Sequence, residues 1–217
     1  MAMLKIGVLI SGRGSNLQAL IDAERATKSL SKIVTVISNV PDAKGLDRAK
    51  AAGIATLVIN HKDYKDRQQF EQVLDAALNE VGVQLICLAG FMRILTPWFV
   101  DRWKDRLINI HPSLLPAFPG LDTHKKAVEY GAKFTGCTVH FVRAEMDHGP
   151  IIMQAAVPVL TDDTEETLSA RVLEAEHKVY PAAVRLIAES RVNIINEQVL
   201  VTGMTPTTGF TVNPPVN

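Results

Sequence analysis

The stretch "KIGVLISGRGSNLQALIDAERA" (residues 5–26) decides the first unit of the fold. The apolar run at 5–11 is typical of a buried strand, and the glycine-rich segment at 12–16 ends it. The residues at 16–26 then favour a helix. A strand joined to a helix by such a turn is the opening unit of an α/β protein with a parallel sheet.

The same alternation continues through the first half of the chain. The pattern predicts strands at 32–38, 54–60, 83–91 and 106–110, and helices at 41–53 and 66–82. Pro41 falls in the first turn of its predicted helix, and Gly53 ends that helix. The run at 83–91 is continuously apolar, as expected for a strand buried on both faces. We therefore predict an α/β fold with an open, mostly parallel, doubly wound sheet that is Rossmann-like.

The second half has a different pattern. Two strand-like runs at 135–142 and 150–160 lie close enough in the chain to pair antiparallel. A long helix is predicted at 162–180, with Asp163 and Glu166 as a capping box. Pro181 should kink or end that helix, because proline lacks a backbone N–H.

The last part of the chain adds a hairpin and a tail. The run at 191–201 predicts a small hairpin, and 205–217 has no periodicity. We predict a single domain at 1–204 with antiparallel additions in its C-terminal half, followed by an irregular tail at 205–217. The residues left after the long helix are too few for a further domain.

Composition bounds the class of protein. The chain has 217 residues, 47% of them hydrophobic, and 23 basic against 23 acidic side chains. This balance does not indicate nucleic acid or an anionic membrane as a partner. No apolar run reaches the roughly 20 residues of a membrane span, and the N-terminus is interpreted as a strand and not as a signal peptide. Cys87 and Cys137 fit reduced core thiols of a cytoplasmic protein.

Three loops follow apolar strands and should meet at one edge of the sheet. They are "GRGSN" (12–16), "GFMRIL" (90–95) and "NIHPSLLP" (109–116). The carboxyl ends of parallel strands lie at a common edge, where open α/β sheets bind their ligands.

The glycine loop predicts an anion site. Gly14, Ser15 and Asn16 lead into a helix whose first N–H groups are free to hold a phosphate. A dinucleotide is disfavoured because Leu17 replaces the third glycine of that motif, and because no acidic residue ends the second strand. The alternative is a plain turn in which Ser15 or Asn16 caps the helix.

Asn109 and His111 are the candidate catalytic pair. They are two residues apart, so on an extended segment both point the same way, and the prolines that follow stiffen the exit. Two such donors suit a carbonyl whose oxygen becomes negative during attack. A carboxylate should support a charged His111, and Asp147, Glu145 and Asp122 are all candidates.

A metal site is not expected. The six histidines show no HExxH or HxxxH spacing, and Glu174 with His177 is a single isolated pair.

Six segments together resemble the folate-dependent phosphoribosylglycinamide formyltransferases, in order from about residue 4 to about residue 190. These segments are "ISGRGSNLQALIDA", "LAGFMRIL", "INIHPSLLPAFPGLDTH", "GCTVHFV", "MDHGPII" and "EHKVYP". The "HPSLLP" block alone is also similar to methionyl-tRNA formyltransferase and formyltetrahydrofolate hydrolase. The "SGRGSN" loop and the lack of room for an extra domain favour the first family.

The resemblance implies transfer of a formyl group from 10-formyltetrahydrofolate to the amine of glycinamide ribonucleotide in purine biosynthesis. It implies Asn109, His111 and Asp147 as catalytic residues. It implies that the ribonucleotide is bound by Gly14, Ser15, Asn16 and Glu176. The resemblance also implies a folate site that includes the loop 142–147, with Arg67 contacting the acidic tail of the folate. The other implied folate residues are Met92, Arg93, Ile94, Leu95, Asn109, Val142 and Asp147. Arg13 and His148 depart from the family pattern.

The implied partners are these two small molecules, with no metal, nucleic acid or membrane, for a monomer or homodimer in the cytoplasm. Two alternatives stay open. A formyltetrahydrofolate hydrolase would use water in place of the amine, and a non-catalytic module would only bind a phosphate ligand.

Overall fold

The computed structural model describes residues 3–26, 28–204, 208–209 and 211–214. Its strands are β1 (Leu4–Ile10), β2 (Ser31–Ser38), β3 (Thr56–Val58), β4 (Leu85–Leu88), β5 (Leu107–His111), β6 (Phe134–Phe141), β7 (Ile151–Pro158), β8 (Val192–Ile195) and β9 (Gln198–Val201). Its helices are α1 (Ser15–Ala26), α2 (Gly45–Ala51), α3 (Arg67–Glu80), α4 (Pro97–Arg102), α5 (Thr123–Tyr130) and α6 (Glu165–Ala188). A 3₁₀ turn lies at His61–Asp63.

The main sheet has seven strands in the order β3-β2-β1-β4-β5-β6-β7. The first five pair in parallel, whereas β6 is antiparallel to both β5 and β7. The predicted open, mostly parallel sheet with antiparallel additions is therefore confirmed. The chain reverses its direction of travel across the sheet between β1 and β4, which is where such sheets form a ligand crevice.

Each face of the sheet carries its own apolar core, as the alternation of side chains along buried strands requires. Val8 of β1 and Cys87 of β4 pack on the face covered by α1, α2 and α6. Leu9 and Ile86, their neighbours in the chain, pack on the opposite face against α3 and α4. Both cysteines are buried free thiols.

Helix α2 is shorter than predicted. It begins at Gly45 and not near Pro41, so the proline does not lie in its first turn. The Gly45 N–H donates to the Gly12 carbonyl at 2.9 Å, and a Cβ at Gly45 would lie 2.6 Å from the Ile10 side chain. The start of α2 is therefore set by its close packing against the glycine loop. This packing joins two separate segments, so the local sequence pattern does not predict it.

The predicted capping box of α6 was wrong, because Thr164 and Thr167 form it, while the Asp163 carboxylate pairs with Arg171 at 2.8 Å. The helix runs through Pro181 to Ala188, so of the two predicted effects of the proline, ending the helix does not occur. A proline removes one helical N–H, and the burial of Tyr180 and Ala183 on either side holds the segment helical.

Helices α4 and α5 lie outside the predicted elements. Thr96 caps α4 with Pro97 at its first position, and Gly131 ends α5 in a left-handed conformation with φ 71°.

The predicted C-terminal hairpin is confirmed as β8 and β9. Of the predicted irregular tail, 205–207, 210 and 215–217 lie outside the described residues. The part at 208–209 and 211–214 forms no helix or strand. The division into one domain at 1–204 and a tail stays a prediction. Over the ranges that the structure describes, no helix combines the length and apolar character needed to cross a membrane.

Candidate active site

The loops after β1 and β4 meet at the carboxyl edge of the sheet, as predicted. The Ser11 N–H donates to the Gly90 carbonyl at 3.1 Å, and the Met92 N–H donates to the Ser11 hydroxyl at 2.7 Å. The same hydroxyl donates to Asn39 at the end of β2, at 2.6 Å. The glycine loop and the segment 90–95 therefore share one edge.

His111 ends β5 and contacts Asp147. Its Nδ1 lies 3.3 Å from one carboxylate oxygen of Asp147, and its Nε2 lies 3.1 Å from the Phe118 carbonyl oxygen. The other Asp147 oxygen accepts the Gly120 N–H at 2.7 Å. An imidazolium carries two N–H donors, so this form of His111 satisfies both of its acceptors at once.

Asn109 lies opposite His140 across the antiparallel pair of β5 and β6. The Asn109 side-chain nitrogen is 3.4 Å from His140 Nε2, and His140 Nδ1 is 2.9 Å from the Phe141 carbonyl oxygen. The carbonyl requires an N–H at Nδ1, which leaves Nε2 as the acceptor for the amide of Asn109. Burial lowers the pKa of His140 and favours this neutral form.

The three predicted catalytic residues are thus brought to one place. Asn109 and His111 both lie in β5, which ends one residue later than predicted and so includes His111, while Asp147 comes from the loop between β6 and β7. Of the competing carboxylates, Glu145 is exposed and Asp122 lies at the N-terminus of α5. His148, which departs from the pattern of the family that the sequence resembles, is also exposed.

The glycine loop is packed tightly against α2. Gly14 has φ 70°, and a Cβ there would lie 2.6 Å from the Gly45 Cα. Arg48 of α2 donates to the Arg13 carbonyl at 2.9 Å. These contacts with α2 therefore fix the conformation of the loop that leads into the N-terminus of α1.

Glu176 of α6 lies beside this loop. The Asn16 side-chain nitrogen donates to a Glu176 carboxylate oxygen at 2.7 Å. Burial raises the pKa of Glu176, against the effect of this hydrogen bond. The Asn16 amide oxygen is buried with no partner among the described residues. The predicted ribonucleotide residues therefore form one group.

This arrangement has known relatives. The sequence profile of formyl transferases matches residues 4–184. The phosphoribosylglycinamide formyltransferase of Escherichia coli is 46% identical over 191 residues, which cover 88% of this chain and 90% of that protein. The chain belongs to the formyl transferase family.

Other members of the family differ in length and activity. The human trifunctional purine biosynthetic protein adenosine-3 is 53% identical over 190 residues, which cover 88% of this chain and 19% of that protein. The chain thus spans about a fifth of the length of this relative.

Solved structures share the fold. Glycinamide ribonucleotide transformylase 1 from Symbiobacterium toebii superposes with a TM-score of 0.89 at 49% identity, covering 92% of this chain and 94% of that one. A formyltetrahydrofolate deformylase from Pseudomonas syringae gives 0.86 at 26% identity, covering 92% and 66%.

The residues predicted to bind the folate lie mainly in three segments, which are the start of α3, the segment after β4 and the loop after β6. Arg67 begins α3 and lines a cavity of about 360 Å³ together with Arg93. Met92 and Ile94 are 70% and 62% exposed, whereas the Leu95 side chain is buried in the core beneath them. Val142 follows β6 and is half-buried.

Two residues of the site were missed by the sequence reasoning. His140 orients Asn109, and its only signal is a polar residue inside the apolar run "GCTVHFV". Tyr180 donates its hydroxyl to the Leu88 carbonyl at 3.0 Å, which fixes α6 and its Glu176 beneath the end of β4. Burial raises the pKa of Tyr180, so the hydroxyl remains a donor.

Proposed function

We propose that the chain transfers the formyl group of 10-formyltetrahydrofolate to the amine of glycinamide ribonucleotide, a step of de novo purine biosynthesis. The observation that carries this proposal is the contact of His111 with Asp147 beside Asn109, on the sheet edge that also holds the glycine loop. A cytoplasmic location and a monomeric or homodimeric state stay predictions.

The first step is attack of the substrate amine on the formyl carbon. The new C–N bond forms as the carbonyl π electrons move onto oxygen, which becomes negative. Asn109 offers amide N–H donation, and His111 offers the Nε2–H that faces the Phe118 carbonyl in the free protein. Donors placed at a developing oxyanion typically contribute on the order of 100- to 1,000-fold in rate.

The second step needs proton movement. The attacking amine must lose a proton, and the leaving nitrogen of the folate must gain one as its bond to the formyl carbon breaks. The Asp147 carboxylate stabilises the charged imidazole of His111, with Nδ1 and Oδ1 3.3 Å apart. The pair can therefore hold a proton within the site and return it to the leaving group.

The glycine loop binds the phosphate of the ribonucleotide in this proposal. Gly14, Ser15 and Asn16 lead into α1, a helix of 12 residues whose first N–H groups favour an anion. Glu176 lies on the same side and would contact the glycinamide end. The buried Asn16 amide oxygen has no partner among the described residues, and in this proposal it accepts a hydrogen bond from a hydroxyl or amide N–H of the ligand.

The folate lies along the segments after β4 and β6 in this proposal. Met92, Arg93, Ile94, Leu95 and Val142 would form the wall for the pteridine, and Arg67 would meet the acidic tail. The exposed side chains of Met92 and Ile94 support this placement, because a bound apolar ring would remove them from water.

The decisive experiment separates transfer from hydrolysis. Purified protein is mixed with 10-formyltetrahydrofolate, with and without glycinamide ribonucleotide, and loss of donor is compared with gain of formylated product. We expect equal consumption of both substrates and slow loss of donor alone. Full-rate deformylation without the ribonucleotide would instead assign the hydrolase reaction.

A His111→Gln variant tests the alternative that the chain only binds a phosphate ligand and catalyses nothing. If the variant keeps its fold and the wild-type rate, the transfer mechanism is wrong.

A further inference from the structure

A single arginine joins the folate-side loop to two distant turns. Arg143 Nε lies 2.6 Å from Glu197 Oε2, and Arg143 Nη2 lies 2.7 Å from Asp105 Oδ1. Its third nitrogen, Nη1, donates to the Val142 carbonyl at 3.1 Å. The guanidinium thus holds two carboxylates at once through separate nitrogens of its rigid planar fork, a geometry that the ammonium of a lysine does not have.

The three residues belong to different parts of the fold. Arg143 lies at the start of the loop 142–147, which ends at Asp147. Asp105 lies in the turn between α4 and β5, just before the strand that carries Asn109 and His111. Glu197 lies in the turn of the C-terminal hairpin, beyond the residues 4–184 that match the family profile.

The backbone at both carboxylates is unusual. Asp105 and Glu197 each have φ 59°, in the left-handed region where glycine is the easiest residue. Asn196 beside Glu197 has φ 50°, so the two turn residues of the hairpin are both left-handed. A glutamate held in that region points to a use for its side chain.

The hairpin is a firm support for Glu197. Val192, Ile194 and Val199 pack against the larger core of the protein. These contacts hold the hairpin against the core, and Glu197 in its turn contacts Arg143 from there.

The loop itself closes tightly around the arginine. Gly149 has φ 151°, and a Cβ there would lie 2.1 Å from the Phe141 carbonyl oxygen and 3.2 Å from Arg143 Cγ. The Phe141 N–H and the Pro150 carbonyl close the base of the loop at 2.9 Å. Movement of the Arg143 side chain would therefore be transmitted to the backbone on both sides of the loop.

We propose that Arg143, held between Asp105 and Glu197, is a positioning residue that fixes the loop 142–147 for the formyl donor. The C-terminal hairpin then acts as a brace for the donor site. This inference rests on the proposed function for the identity of the donor, whereas the bracing of the loop does not depend on it.

The test uses glycine at the left-handed positions. Glu197→Gly removes the carboxylate while giving the turn an easier residue, so the fold should be kept. Asn196→Gly is the matched control, since it makes the same backbone change in the same turn without touching the ion pairs. We expect Glu197→Gly to raise the KM for 10-formyltetrahydrofolate about threefold to fivefold, the upper scale of an exposed ion pair. Its kcat and its KM for the ribonucleotide should stay within about twofold of wild type.

A double variant, Asp105→Gly with Glu197→Gly, should raise the donor KM further than either single change. Arg143→Lys should behave like the double variant, because an ammonium cannot bind both carboxylates in the fork geometry. Asn196→Gly should match wild type in every constant.

Amide hydrogen exchange provides a readout that needs no turnover. We expect faster exchange at 143–149 in Glu197→Gly and in the double variant, and wild-type exchange in Asn196→Gly. Unchanged exchange in the double variant overturns the brace, and an unchanged donor KM overturns its role at the donor site. If wild type turns over neither substrate, the proposed function fails while the exchange experiment still decides the brace.

Discussion

His111 Nδ1 lies 3.3 Å from Asp147 Oδ1, although β5 and the loop after β6 bring the two residues from separate parts of the chain. The second oxygen of Asp147 is held by the Gly120 N–H at 2.7 Å. The carboxylate is therefore fixed by backbone on one side and free to stabilise a charged imidazole on the other. This contact distinguishes Asp147 from the two other carboxylates that the sequence left open.

Asp147→Asn should lower kcat about 100-fold, the lower range of what a positioned acid–base pair contributes. The amide keeps an oxygen for the Gly120 N–H and loses the charge that supports His111. Asp122→Asn and Glu145→Gln are the matched controls, and both should stay near the wild-type rate in the coupled formyl-transfer assay. A larger loss in either control than in Asp147→Asn would mean that the wrong carboxylate has been assigned.

His140→Ala should reduce kcat about tenfold by releasing the Asn109 amide. The double variant with Asn109→Ala should be little slower than Asn109→Ala alone, because both changes remove the same donor. His140→Gln can still present an acceptor and should lose less. Independent, multiplying losses in the double-mutant cycle would show that His140 does not act through Asn109.

Glu176→Gln should separate stability from activity. Burial raises the pKa of Glu176 above its ordinary value of 4.5, so the folded chain holds this proton to higher pH than the unfolded chain does. The contribution of Glu176 to stability is therefore greatest below pH 4.5 and falls as pH rises towards the folded pKa. The glutamine variant has no such loss, and its advantage in the free energy of unfolding should grow with pH.

Urea unfolding of both proteins between about pH 4 and pH 8 measures this difference, a span that brackets the ordinary glutamate range. Glu174→Gln, at an exposed position of the same helix, should show no comparable trend. We expect Glu176→Gln to bind the ribonucleotide less tightly in the same preparation. A stability difference that does not vary with pH would contradict the expectation.

Gly14→Ala should damage the phosphate loop by two effects. The residue would be placed at φ 70°, and its Cβ would lie 2.6 Å from the Gly45 Cα. Gly53→Ala isolates the first effect, since φ there is 74° and nothing lies within 4 Å of the added Cβ. We expect Gly53→Ala to cost about 1 kcal/mol of stability and Gly14→Ala about 2–3 kcal/mol.

The Gly14→Ala variant should also raise the KM for glycinamide ribonucleotide without changing the KM for the formyl donor. Thermal unfolding and initial rates on the two variants provide the comparison. Equal losses of stability in Gly14→Ala and Gly53→Ala would show that the close packing of Gly14 against α2 does not contribute.

The sequence by itself determined the order of the strands, the order of the helices apart from α4 and α5, and the chemistry of the candidate pair. Those features depend on local properties: apolar runs, the glycine turn, and the two-residue spacing that places Asn109 and His111 on one side of β5. The shared edge of the three loops also followed, because parallel strands end on the same side of a sheet.

Only the tertiary structure shows which side chains contact the candidate pair. The contact of His111 with Asp147, the carboxylate that the family resemblance implied, joins segments distant in the chain, as do the contacts of Asn109 with His140 and of Arg143 with Asp105 and Glu197. The persistence of α6 through Pro181 has the same origin, since packing of its neighbours outweighs one missing hydrogen bond. Distances between distant segments follow from how the elements pack in three dimensions, and a local pattern of residues does not contain them.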